Sequence, residues 1–487
     1  SLDEVERVYL HGQVGTALEE LCGTRAISTV AGIAVQLARH FEKAKSTEKA
    51  IQYLYQAGNK AVQLSAYPEG RTHLTRALAL MKALPDAATQ KERQHRAEQE
   101  LALQLSLGVA CWGTYDTHPE AAQAFDRARE LSQQMGKTSQ LCTSLTSLAI
   151  LRYVGAEYRN AHTLGQKALK LAQKLRDPVL LVESHWGLGC ILFALGDYAA
   201  AHVHLEQTIA FYQPHHHQAL ISLNPADARP SAIAYDACCL WCLGYPDQAL
   251  RRSEEALTLA RELDHPFTLG DVLSYGCCQL HVMRRDALAL KESAEELLRN
   301  PIWWLKGTLH RGEAVAMLGQ LQEGMAQMRE GIAAFHAGGA RTLLPGTLGS
   351  LAVAQAKAGQ PEEGLTTLAE ALAMVEETGE RHWEAELYRL RGELLLVQSE
   401  KVQAGADLQA EASLQAESSF QQAIEVARRQ QAKSWELRAT TSLARLWQSQ
   451  GRVDEARQRL TAIYGWFTEG LDTADLVEAR TLLEELS

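Results

Sequence analysis

The chain has 487 residues and a net charge of −11, and its 48 Lys and Arg are scattered without a basic run, so a nucleic-acid surface is not expected. No apolar stretch reaches the ~18 residues of a membrane-spanning helix. The N-terminus SLDEVERVYLHG lacks the form of a signal peptide, and a cytoplasmic, membrane-free chain is expected. This length exceeds one ordinary globular core, leaving several domains or an array whose core grows along one axis. Because Ser1 begins what reads as a helix, the chain is expected to be part of a longer polypeptide.

In chain order, residues 1–24 read as a lead-in helix ending near Gly23, followed by helices over Ile27–Ala44, Thr47–Ser65 and Pro68–Leu84. Ala38, Ala50, Ala57, Gly70 and Ala77 are their small contact residues. Pro68 suits a first helical turn and Pro85 ends one.

From there one pattern repeats, most plainly in VESHWGLGCILFALGDYAAAHVHLEQTIAFY, Val182–Tyr212. Leu188, Gly189 and Leu192 follow helical spacing, Gly196-Asp197 interrupts it, and Tyr198, Ala201, Leu205 and Thr208 resume it. This is a helical hairpin in which Gly189 and Ala201 let two axes approach.

The small residue of the first helix recurs at Gly108, Ala149, Gly189, Ala237, Cys277, Gly312, Ala352, Gly392 and Ala444, with spacings of 41, 40, 48, 40, 35, 40, 40 and 52. Its counterparts in the second helix are Ala121, Ala161, Ala201, Ala249, Ala289, Gly324, Gly364, Ala416 and Ala456. A Leu at Gly189 should overfill its contact, whereas one at Gly405 should be nearly silent.

These hairpins resemble the tetratricopeptide repeat, with a period longer than its usual length of about 34 residues. The expected fold is all-α, a helical-hairpin solenoid coiled as a right-handed superhelix of about ten to eleven helix pairs. Residues 1–100 are expected to hold the linker helix and first repeats, and 101–472 nine hairpins with insertions near 213–230 and 400–415. Residues 473–487 read as a capping helix begun by Asp472 or Thr473.

The resemblance also implies a concave wall. In such repeats the second, fifth, ninth, twelfth and thirteenth residues of the inner helix line it. Here those positions give Trp112, Tyr153, Glu183, Trp186, Cys190, Phe193, Cys238, Trp241, Cys242, Asp271, Cys278 and His281. Towards the C-terminus they give Glu386, Arg389, Glu393, Arg438 and Arg445. Such a wall would run from aromatic to charged and suit a protein or peptide effector. The same aromatics would also suit packing between repeats.

Sequence motifs for chemistry are sparse. Gly359 to Gly364 has the glycine spacing of a phosphate loop, but Leu365-Thr366 stands where Lys-Ser/Thr is required. The nine cysteines, including Cys239 and Cys242 of CLWC and the pair Cys277-Cys278, fall in helical patterns and read as reduced packing groups. His202, His204 and His215 to His217 read as a solvated His-rich region rather than a metal site. No catalytic residue, cofactor or metal is assigned, and an enzyme is not expected.

The phrases AGQPEEGLTTLAEALAMVEETGERHWEAELYRLRGELLL, RRQQAKSWELRATTSLARLWQSQGRVDEARQRL and IYGWFTEGLDTADLVEARTLLEEL resemble the C-terminal repeat region of bacterial AAA/STAND-type signalling ATPases. Many members of that group also carry a class III adenylate/guanylate cyclase domain. The resemblance implies a regulatory arm that binds an effector and biases the ATPase domain of the same polypeptide. It also leaves open a small-molecule effector receptor of a STAND-type transcription regulator.

Overall fold

The computed structural model describes residues 3–23, 27–114, 118–337, 341–401 and 406–487, and every regular element among them is a helix. The fold is an all-α stack of tetratricopeptide-like hairpins. Residues 1–151, 167–180 and 213–227 form one compact unit, and residues 152–166, 181–212 and 228–487 form the second.

The hairpins arise from a repeated way of stopping a helix. After the helix Pro178–Ala194, Gly196 takes φ +76°. The Asp197 N–H then donates to the Leu192 carbonyl and the Gly196 N–H to that of Phe193, both at 3.0 Å. These bonds occupy carbonyls that a helix end otherwise leaves without partners. The same pair of bonds recurs at Gly244, Gly319, Gly359 and Gly451, and at Ala156 and Arg285, where a side chain is carried in the left-handed conformation. The next helix starts at once, with Asp197 and Asp286 accepting from Ala200 and Ala289. Pro246 and Pro361 preset the first turn of two others.

Close helix approach depends on missing side chains. A Cβ on Gly189 would lie 2.5 Å from Leu205 Cδ2 and 3.5 Å from the Ala201 carbonyl oxygen. The corresponding atom on Gly312 would meet the Gly324 carbonyl oxygen at 2.9 Å, and on Gly364 that of Ala352 at 2.9 Å. In the first unit, Phe125 fills the space over Gly108, with Cζ 2.5 Å from where a Cβ would stand.

The two long spacings hold different structures. In the first, a short 3-10 turn, Pro214–His216, leads into the helix His217–Leu220 before Ala228–Leu243 begins. The histidines here are only partly solvated: His215 is exposed, but His216 is buried, and His217 Nδ1 lies 2.6 Å from Asp227 Oδ2. His202 and His204 lie on the helix Tyr198–Phe211 instead. In the second spacing, one helix runs over Ala406–Arg429, while residues 402–405, Gly405 included, lie outside the described residues.

The final helix, Ala474–Glu485, buries Leu476, Ala479 and Leu482 with Leu443, Ala444, Leu460 and Ile463. Thr473 precedes it, but its hydroxyl donates to the Gly470 carbonyl at 2.7 Å rather than capping the helix.

Within the second unit, early hairpins meet later ones in register along the chain. Tyr158 pairs with Thr342 and Tyr198 with the His382 carbonyl, each 184 residues away. Helix-end carbonyls follow the same order. Val154 accepts from Arg341 N–H at 3.1 Å, Ala194 from Arg381 N–H at 2.7 Å, and Trp241 from Ser434 Oγ at 2.5 Å. Groups that a free helix end would turn to water are thus used to join distant repeats.

Candidate functional site

The residues at the second position of each repeat, six before its small contact residue, form a buried row through the second unit: Glu183, Ser231, Asp271, Lys306, Gly346, Glu386 and Arg438. Two adjacent pairs in this row touch. Ser231 Oγ donates to Asp271 Oδ2 at 2.5 Å, and Arg438 Nη1 to Glu386 Oε1 at 3.2 Å. Asp271 sits at the end of the helix Pro266–Asp271, which continues as a wider π-helical turn, Val272–Cys278, into Gln279–Arg284. That turn carries Tyr275 beneath Lys306.

Lys306 is the most telling member of the row. Its Nζ lies 5.0 Å from the Tyr275 ring centre and 4.5 Å from that of Phe335, and only 6 % of the residue is exposed. No carboxylate among the described residues lies within ion-pairing distance of it. Burial pushes this amine down to about 8, against the opposing pull of Glu313 and Glu380. Burial likewise pushes Asp271 up to about 7, against the Ser231 hydrogen bond.

Around these charges the side chains are aromatic and polar. Tyr153 and Tyr235 hydroxyls meet at 3.0 Å, Phe193 packs edge-on to Tyr235 at 5.9 Å, and Tyr235 stacks on Tyr275 at 5.3 Å. Glu380 takes a hydrogen bond from Tyr158 and another from the Leu343 N–H, and lies 3.2 Å from His382 Nδ1. Nearby, His310 Nδ1 is 2.8 Å from Glu313 Oε2.

Further along the row, Arg438 ties together four elements. It lies over Trp241 and Trp435, donates to the Met283 carbonyl at 2.6 Å, and pairs with Glu386 and Asp475. Arg389 grips Glu386 through two bonds of 2.8 and 2.9 Å and reaches Glu393 and Ser442. For Glu386, burial favours the neutral acid, yet the two arginines outweigh it and hold the carboxyl below its ordinary value.

The expected wall residues fall into three groups. Tyr153, Phe193 and Asp271 come together around Tyr235 and Ser231, and Trp241, Arg389, Glu393 and Arg438 come together around Glu386. Glu183 and Trp186 are buried, while His281 is half-buried with its pKa lowered chiefly by burial. Arg445 is exposed and pairs with Glu478, and Trp112 is buried in the first unit. The aromatics therefore stand in packing, not on an open face, so a ligand at their side chains requires the stack to part.

Lys306, Ser231 and Glu313 satisfy the positional rule that selects Glu183 and Asp271, and the Lys in WWLKG is the signal that marks them. Glu380 and His382 follow no such rule, because they reach this interior from a later hairpin.

The cysteines of the CLWC motif lie in the packed interior. Burial pushes the Cys239 and Cys242 thiols well above their ordinary value, and the eight described cysteines are free and buried. Among the described residues, one group of side chains has metal-ligating geometry, His202, Glu206 and Asp236. None of the described helices is long and apolar enough to cross a membrane.

No family model matches the chain. It is 25% identical over 455 residues to an uncharacterized protein of Rhizobium meliloti, covering 91% of this chain and 41% of that protein. The chain thus spans about two-fifths of that relative's length. Among solved structures it is similar to the Cut9–Hcn1 hetero-tetramer of APC/C, at TM-score 0.49 and 13% identity, covering 99% of this chain and 90% of that one. It is also similar to the Rap conjugation gene regulator of plasmid pLS20 in complex with a Phr peptide, at TM-score 0.47 and 13% identity, covering 62% and 76%. Yeast Tom70 gives TM-score 0.36 and 12% identity, covering 95% and 96%.

Proposed function

We propose that this chain is a non-catalytic sensor module that binds a protein or peptide effector along the inner row of its second unit and regulates a larger signalling ATPase or cyclase. The observation that carries this reading is Lys306, a buried ammonium held by aromatic rings without a carboxylate at pairing distance among the described residues. A charge kept in that setting costs stability, and recognition of an acidic or carbonyl-bearing ligand is a physical reason to keep it. Arg438 supplies the coupling. An effector that enters between distant repeats competes with bonds such as Arg438 to Met283 and Asp475, and so favours one arrangement of the hairpins over another.

The second reading is a small-molecule effector receptor, and the burial of the row favours it, since a closed interior suits a compact ligand. Both readings are tested by placing a photo-crosslinking phenylalanine analogue at Phe335 in the chain as it occurs in its native polypeptide. A peptide adduct lost in Lys306→Gln, with helical content retained, supports the first reading. A small-molecule adduct moves the assignment to the second, and adducts formed only within the chain overturn both. Regulation is tested separately, by nucleotide turnover of the native polypeptide with and without the captured effector; unchanged turnover would remove the sensor role.

A further inference from the structure

On the helix Tyr198–Phe211, His202 and Glu206 stand four residues apart and therefore share a face. Asp236, from the helix Ala228–Leu243, points at the same spot. One ligand-capable atom from each of the three lies within 4.8 Å of the other two, and His202 Nδ1 is 2.5 Å from Asp236 Oδ1. Asp236 is fully buried, and its second oxygen, Oδ2, makes no hydrogen bond among the described residues. What approaches that oxygen is Arg252, whose Nε lies 3.5 Å away. The same guanidinium reaches Glu206 at 2.5 Å and Glu255 at 3.3 Å.

A buried carboxylate that already draws a cation, beside an imidazole and a second carboxylate, has the donor set of a divalent transition-metal site. Metal–ligand bonds of about 2.0–2.2 Å place donor atoms roughly as far apart as these, after small side-chain rotations. Arg252 is long and partly exposed, and Glu255 gives it an alternative partner when it leaves. We propose that His202, Glu206 and Asp236 form a binding site for a divalent transition-metal ion of the zinc class, for which Arg252 is the competing cation. Three protein ligands leave a coordination position to water, and the ion would fasten two adjacent helices to each other.

The test is calorimetric titration of the chelator-treated full chain with zinc sulfate, with magnesium chloride as the hard-ion comparison. The expected result is saturation that includes about one ion per chain at this site, with magnesium binding far more weakly. His202→Ala or Glu206→Gln should each remove that equivalent or weaken it more than about tenfold. Both residues are partly exposed, so helical content should persist in each variant. Arg252→Gln should bind zinc as well as the parent or more tightly, because a competitor is gone. If zinc does not bind, or Arg252→Gln abolishes binding, the three residues are an ion-pair network and the proposal fails. It also fails if His202→Ala and Glu206→Gln leave every equivalent in place, since other histidines, such as His185 with His204, then hold the metal.

Discussion

Arg438 and Glu386, which hold the same position in two repeats, face one another at 3.2 Å with only 6 % of either side chain exposed. Arg438 also closes onto Asp475 of the final helix. Because both ions are desolvated, the pair is costly to break from one side. Arg438→Met should lower unfolding free energy by about 3–5 kcal/mol. Arg438→Met combined with Glu386→Gln should cost clearly less than the sum of the single changes. Urea unfolding of the four proteins checks this, and strict additivity would mean that the two ions do not interact.

Lys306 should behave in the opposite way. Its amine is pushed down to about 8 by burial, so between pH 8 and the ordinary lysine range the unfolded chain holds a proton that the folded chain has released. Stability from this group therefore rises with pH across that window. Lys306→Met should be more stable than the parent at pH 7 by about 1–3 kcal/mol, with the gain fading as pH climbs towards about 10.5. Paired unfolding curves at pH 7, 8.5 and 10 test it; a gain independent of pH would assign the effect to packing.

Asp271 gives a second pH signature. Its carboxyl is raised to about 7 by burial, so from about pH 4 to 7 the folded chain keeps a proton that the unfolded chain loses. Its contribution is fully present below that window and is lost as pH rises through 7. Asp271→Asn retains an acceptor for Ser231 and removes the titration. The stability of this variant relative to the parent should grow from pH 4 to 7 and then level off, as read by thermal or urea unfolding.

The helix stops provide a conformational test free of packing. Gly451 sits at φ +77° with nothing among the described residues within 4 Å of where a Cβ would stand. Gly451→Ala should cost about 1 kcal/mol from the left-handed conformation alone. Gln431, exposed at φ +55°, is the reverse case, and Gln431→Gly should gain about 0.5–1 kcal/mol. Gly189→Leu, which must displace Leu205, should cost about 1–3 kcal/mol through overpacking. Thermal unfolding of the three variants separates strain from crowding.

These examples show why the hairpins were legible and their interior only partly so. Gly189, Gly312 and Gly364 are dictated by contacts within one hairpin, so the cause and the signal lie a dozen or so residues apart. The row of second-position residues follows from the same register, which is how Glu183 and Asp271 are found and how Lys306 is findable. What those charges face is set by Glu380, His382 and Asp475, which come from hairpins far along the chain. Local periodicity carries no record of such partners. Exposure of the tryptophans was illegible for the same reason: Trp241 is covered by Trp435, and Trp435 in turn by Trp383.

The 184-residue offset shared by the pairs Tyr158–Thr342 and Tyr198–His382 has a consequence for how this stretch can evolve and unfold. An ordinary repeat array tolerates the gain or loss of a unit, because each unit knows only its neighbours. Here, excising one hairpin between residues 198 and 342 would slide every later partner out of step at once. The number of repeats in that span is therefore locked, and the span should melt as one cooperative block instead of fraying from its ends.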